Sequence, residues 1–397
     1  MITVGDLKIG KEEKDIINEV LDGGKISEGK YVKKFELEFA KKIDTRYCVA
    51  LSSGTASLIS GLLSLIYSNK IKKGSKVITT PVTYISTINA IVLCGLEPVF
   101  VDIAEDNFNI TPENIEKLLK NSNPEEYSLI LPVHLMGYPC DMIAINKIAR
   151  KYNLFVFEDT AQAHGTKING KNTGTFSIIA DYSFYVAHNI QVGEMGAIVT
   201  DDKNLAGLVK SIKANGRLCD CLECTRDKGI CPRQPQDETD NDPRFTHNYI
   251  GYNFKTMEFQ AALGILQISR MDEIIKKRAE NVRRLNLRLK NVSGILKLPV
   301  YSPDVSYLAY PLVLKDMKKT SRLKLRKELE KRGIETRPLF GCIPTQQPAY
   351  DYLRKQYEGK LPIAEYIGSN GFYIGCHQYI TDDDIEYIGK NFEEILL

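Results

Sequence analysis

The stretch Asp181-Tyr-Ser-Phe-Tyr-Val-Ala-His-Asn-Ile-Gln-Val-Gly-Glu-Met-Gly-Ala197 decides how this chain is read. Its pattern predicts a short strand ending near Phe184, a tight loop, and a glycine-punctuated turn into the apolar strand Ala197-Ile-Val-Thr200. The one side chain in it that titrates near neutrality is His188, with Ser183 five residues before it. Taken alone, a histidine between two strands is more often a satisfied structural residue than a catalyst. Its meaning therefore depends on what surrounds it.

Upstream, apolar strands alternate with amphipathic helices. Helical spacing is clear over 11–22, where Ile16, Ile17, Val20 and Leu21 share a face, and over the segment bearing Phe35, Phe39 and Ala40. A strand from 48 breaks at Ser53-Gly54-Thr55 into a helix over 58–67, and further strands are expected over 76–80, 98–103, 128–133 and 154–157. Pro81-Val-Thr-Tyr84 is expected to open one helix, and 142–151 forms another. This alternation predicts an α/β fold with a mostly parallel sheet and binding loops at strand C-termini. Downstream, helices are expected over 259–267 and about 272–290. A smaller α+β unit follows, with a strand over 307–314 and helices over 321–331 and 382–396. The division drawn is a large domain over 1–270 and a bridging helix plus small domain over 271–397. Residues 217–248 are polar and rich in proline and cysteine, and read as an inserted excursion.

The bulk numbers fit an enzyme rather than a polymer binder. Among 397 residues, 53 basic and 50 acidic side chains leave a net charge of +3, which implies neither a nucleic-acid nor a membrane partner. The N-terminus has no apolar signal core and no run approaches a membrane span, so a cytoplasmic location is expected. Nine cysteines then point to thiols or metal ligands rather than disulfides.

Several local patterns can carry chemistry. Ser53-Gly54-Thr55 lies at a strand-to-helix turn, where free N–H groups favour an anion, although such turns also serve as plain caps. Asp159 ends a buried strand and must find a cation or donors there. A protonated pyridine nitrogen is one such partner, and a turn cap is the alternative. Tyr84 suits ring stacking or core packing equally.

The order of these pieces resembles the DegT/DnrJ/EryC1 sugar aminotransferases, which are type I pyridoxal-phosphate enzymes of the aspartate aminotransferase-like fold. The blocks SSGTASL, EPVFVDI, PVHLMGYPCDM, EDTAQAHG, SFYVAHNIQVGEMGAIVT, GYNFKTMEFQAALG, GIETRPL and YIGCHQ carry the resemblance over nearly the whole chain. It implies that Gly54, Thr55 and Ser183 hold the coenzyme phosphate, that Tyr84 stacks on the ring, and that Asp159 pairs with its nitrogen. It also implies that Gln162 contacts the ring hydroxyl and that Asn253 reaches the phosphate from a neighbouring subunit, which requires a homodimer with shared sites. Two departures stand out: Asn215-Gly216 replaces His-Gly, and Gly193-Glu-Met-Gly196 replaces Gly-Glu-Gly-Gly.

His188 occupies the position of the family's coenzyme-anchoring lysine. This resembles the nucleotide-sugar 3-dehydratases of the family, which hold pyridoxamine or pyridoxal phosphate non-covalently. A lysine both anchors the coenzyme and moves protons, whereas histidine can do only the second. The resemblance thus implies C3 deoxygenation of a nucleotide-linked 4-keto-6-deoxyhexose, with His188 as base. The alternatives are an aminotransferase with an altered lysine site and a catalytically silent sugar-nucleotide-binding homologue. Cys219, Cys221, Cys224 and Cys231 have metal-ligand spacing. Similarity to the CDP-sugar 3-dehydratases implies an iron–sulfur cluster ahead of zinc, together with an electron-donor protein. Their remaining ligand falls where this chain has Ala161, so Cys224 would have to substitute.

Overall fold

The computed structural model describes residues 1–219, 231, 242–315 and 320–397. The larger sheet has seven strands: β1 (Tyr47–Leu51), β2 (Lys76–Thr79), β3 (Glu97–Phe100), β4 (Tyr127–Leu131), β5 (Phe155–Asp159), β6 (Ile179–Ser183) and β7 (Gly196–Thr200). Their spatial order is β1-β7-β6-β5-β4-β2-β3. Only β7 runs against its neighbours, and all other pairings in this sheet are parallel. Helices cross between the parallel strands and cover them, which is why Leu129, Ile130 and Leu131 are buried as a continuous apolar run.

The helix expected over 58–67 begins earlier, as Gly54–Tyr67. Ser53 caps it, its Oγ accepting the Ala56 N–H at 3.1 Å, so the Ser-Gly-Thr turn is the helix's own first turn. Residues 81–84 do not open a helix; the chain stays irregular there and Ser86–Leu93 follows. Strand β3 stops at Phe100, short of Asp102. That carboxylate instead accepts the N–H groups of Ile363 and Ala364 at 3.1 and 2.9 Å, capping the helix Pro362–Asn370.

The two helices expected over 259–267 and 272–290 are one helix of 31 residues, Glu258–Arg288. No glycine or proline separates them, and Ile268 and Met271 keep the buried stripe continuous. This helix runs through residues 270 and 271, where the sequence suggests a domain division. Beyond it a second sheet, β8 (Leu296–Lys297), β9 (Tyr310–Leu314), β10 (Arg337–Pro338) and β11 (Gly371–Ile374), is antiparallel throughout, in the order β8-β9-β11-β10. Strand β9 starts later than expected because the carbonyls of Tyr307 and Leu308 accept from Arg278 Nη1 at 3.2 and 2.8 Å. Among the described residues no helix is long and apolar enough to cross a membrane.

Candidate active site

The C-terminal ends of β5 and β6 meet the first turn of the helix Gly54–Tyr67. The approach is close, since a Cβ on Gly54 would lie 2.7 Å from the Cβ of Ser183. The fit forces glycine at that position. A cavity of about 1220 Å³ opens there, lined by Gly54, Thr55, Tyr84, Asp159, Gln162, Ser183 and His188, so all but one of the expected coenzyme residues converge. Its position beyond the strand C-termini is where open α/β sheets bind ligands.

His188 hangs on the loop after β6. Its Nδ1 lies 2.8 Å from the Ser183 carbonyl oxygen, which can only accept, so the proton sits on Nδ1 and Nε2 carries the free lone pair. Burial, opposed by that bond and assisted by the Arg278 guanidinium, pulls its pKa down to about 4. His188 is therefore neutral, and a base, at physiological pH. No lysine among the described residues lines the cavity.

Asp159 is buried, with Oδ2 accepting from Thr87 Oγ1 at 2.8 Å and Oδ1 from the Ala161 N–H at 3.2 Å. Burial raises its pKa, the two hydrogen bonds oppose this, and no cation among the described residues pairs with it. A pyridinium nitrogen would supply the missing positive charge. The first turn of the helix offers the unbonded N–H groups of Gly54 and Thr55 to a phosphate. Gln162 is fixed by its Oε1, which accepts from the Met136 N–H at 2.9 Å, leaving its NH₂ to offer. These residues fit pyridoxal or pyridoxamine phosphate: an anion cradle, a buried carboxylate wanting a cation, and an amide between them.

Tyr84 stands at the cavity wall, 59% exposed, edge-on to Phe340 with ring centroids 6.0 Å apart. Asn253 is exposed and does not line this chain's cavity; it forms a bridge with Ala214. Cys219 and Cys231 are half-buried free thiols, while Cys221 and Cys224 lie outside the described residues. Among the described residues no three metal-ligating side chains cluster. Ala161 lines the cavity and brings no thiolate. The Met195 departure leaves the loop's glycine turn in place: Gly193 keeps φ at +94°, and the Met195 side chain is buried in the core.

Sequence reasoning missed Thr87, Arg322, Arg337 and Asp181, all of which line the cavity. Asp181 was legible from strand periodicity, because it lies two residues before Ser183 and so points to the same face. The two arginines come from distant segments, and no local signal marks them.

The sequence matches the DegT/DnrJ/EryC1/StrS aminotransferase family over residues 7–393. The chain belongs to that family. It is 32% identical over 384 residues to the GDP-perosamine synthase of Escherichia coli O157:H7, spanning 96% of this chain and 95% of that one. It is also 32% identical over 381 residues to the dTDP-4-dehydro-2,6-dideoxy-D-glucose 3-dehydratase of Saccharopolyspora spinosa, covering 94% and 81%. The solved structure of E. coli GDP-4-keto-6-deoxy-D-mannose-3-dehydratase with bound hydrated PLP shares the fold, with a TM-score of 0.86 at 26% identity, over 98% of this chain and 99% of that one. The architecture is the aspartate aminotransferase-like fold, and the chain is similar both to a synthase and to dehydratases.

Proposed function

We propose that this protein is a 3-dehydratase of a nucleotide-linked 4-keto-6-deoxyhexose, working with non-covalently bound pyridoxamine or pyridoxal phosphate. The observation that carries this reading is His188, neutral, with Nε2 free, in a cavity that no described lysine lines. Bound there, the coenzyme supplies an amine and an electron-withdrawing ring. Gly54, Thr55 and Ser183 hold its phosphate, Asp159 keeps its ring nitrogen charged, and Gln162 orients the ring. His188 accepts and returns a proton at Nε2. Arg322 and Arg337 line the same cavity and suit a diphosphate-bearing substrate; Arg322 is held by the carbonyls of Gly368 and Gly371 at 2.6 and 3.1 Å rather than by a carboxylate.

The deciding experiment gives the protein pyridoxamine phosphate and GDP- or dTDP-linked 4-keto-6-deoxyhexoses, with the products weighed by mass spectrometry. Loss of the C3 oxygen supports dehydration. Exchange of the keto oxygen for an amine would instead make this chain an aminotransferase with an altered lysine site.

Without a lysine anchor, dialysis should strip the coenzyme completely. Borohydride treatment of the loaded protein should leave the chain mass unchanged, and a coenzyme adduct on any lysine would contradict the reading. We further propose a homodimer in which Asn253 completes the partner's phosphate site. Asn253→Ala should weaken coenzyme binding about 10-fold, as for a lost hydrogen bond to a charged group, at unchanged melting temperature. Full activity in a monomer would contradict the shared site.

A further inference from the structure

Asp159 has a neighbour to which the proposed reaction gives no role. Strands β5 and β6 are parallel, with Asp159 opposite Asp181, so both side chains leave the sheet on one face. Both line the cavity. Asp181 is fully buried, and neither of its carboxyl oxygens has a hydrogen-bond partner among the described residues. Among the described residues, no counter-charge answers it from the elements packed around it. Strand β7 places Ile198 opposite, the helix Gly54–Tyr67 carries no charged residue, and the adjacent Tyr182 turns to the other face, donating to the Thr173 carbonyl at 2.6 Å. On the β5 side stand Asp159 itself and, beyond it, His134, which is bonded to Glu158 at 3.0 Å.

The cavity floor therefore carries two carboxyls and hydrogen bonds for only one. Burial, and then the charge of Asp159, push the Asp181 carboxyl well up. Two adjacent buried carboxylates cannot both ionise without a large cost. Asp159, with its two donors, is the one that takes the charge, and Asp181 rests as the neutral acid.

We propose that Asp181 is a reserve counter-ion for the coenzyme's ring nitrogen, able to take over the negative charge of the Asp159–Asp181 pair when Asp159 cannot carry it. This rests on Asp159 meeting the ring nitrogen. It assigns Asp181 to coenzyme retention: when Asp159 loses its charge, the like-charge repulsion vanishes and Asp181 ionises against the ring in its place.

A double-mutant cycle on coenzyme affinity tests this, with pyridoxamine 5′-phosphate as probe and dissociation constants from equilibrium dialysis. Asp181→Asn alone is expected to weaken binding by about 3-fold and Asp159→Asn by about 10-fold. The double variant should weaken it by about 300-fold or more, at least 10-fold beyond the product of the singles. Melting curves without coenzyme confirm that each variant folds, and Asp181→Leu, of similar size, repeats the cycle if the amide does not. An additive cycle overturns the reserve role alone. Asp181→Asn costing as much as Asp159→Asn also overturns it, because Asp181 would then be a primary anion. If the double variant binds as well as wild type, or wild type binds no coenzyme, the functional reading falls and this inference falls with it.

Discussion

Replacing His188 by Asn should lower turnover by about 10²–10⁴-fold while leaving coenzyme affinity and the fold intact. The amide can still donate to the Ser183 carbonyl, so the loop keeps its anchor, but it offers no lone pair able to take a proton. The effect should therefore appear in kcat and not in the coenzyme dissociation constant. The acid limb of the wild-type rate due to His188 should lie near its depressed pKa of about 4, not near the ordinary 6.5. The same shift fixes a stability slope. A histidine whose folded pKa is depressed binds its proton more readily when unfolded, so stability is full above about 6.5 and is lost as pH falls toward about 4. Wild type should thus lose more melting temperature than His188→Asn across that window. Unchanged dehydration in the variant would return His188 to a structural role.

The residues that converge from sequence reading do so for a shared reason. Ser183, His188, Asp159 and the Ser-Gly-Thr turn all sit at strand ends or in the loops just after them, and strand ends are where apolar alternation stops and a polar residue stands out. The parallel sheet follows from the same alternation. What the sequence obscured depends on partners far along the chain. The strand expected over 98–103 stops at Phe100, because Asp102 leaves it to cap a helix some 260 residues later in the chain. In sequence the long helix Glu258–Arg288 resembles two, because its first half is mostly apolar and its second highly charged, a change of surface and not of backbone. Tyr84 illustrates a third limit: a turn signal places the residue at the cavity, but its edge contact with Phe340 is set by the distant segment after β10.

Arg278 ties packing to protonation. It is fully buried on the long helix and holds the Tyr307 and Leu308 carbonyls, and its charge adds to the burial that chiefly lowers the pKa of His188, His164 and His377. Its charge thus favours neutral histidine at the site while its hydrogen bonds set where β9 begins. Packing between the sheets and the protonation state of His188 share one side chain.

Gly196→Ala should sharply weaken coenzyme binding, although Gly196 does not line the cavity. The glycine begins β7 and pairs with Leu51 on one side and Ser183 on the other. A Cβ there would lie 2.2 Å from the Ser53 carbonyl oxygen and 2.4 Å from Ser57 Oγ. That carbonyl accepts both the N–H and the hydroxyl of Ser57, at 3.0 and 3.1 Å, and the Ser53 side chain caps the same helix. The methyl must therefore displace the backbone of the Ser53-Gly54-Thr55 turn, because rotating Ser57 Oγ away leaves the clash with the Ser53 carbonyl in place. Overpacking of this kind costs about 1–3 kcal/mol of stability. The displaced turn should also weaken pyridoxamine phosphate binding by roughly 100-fold, equivalent to about 3 kcal/mol of charge-assisted hydrogen bonding. Gly193→Ala provides the contrast, since its φ of +94° imposes backbone strain but no atom stands within 4 Å of the added methyl. It should lower the melting temperature with a much smaller loss of affinity. Equal affinity losses in the two variants would mean that general loop strain, rather than displacement of the Ser53 turn, governs coenzyme binding.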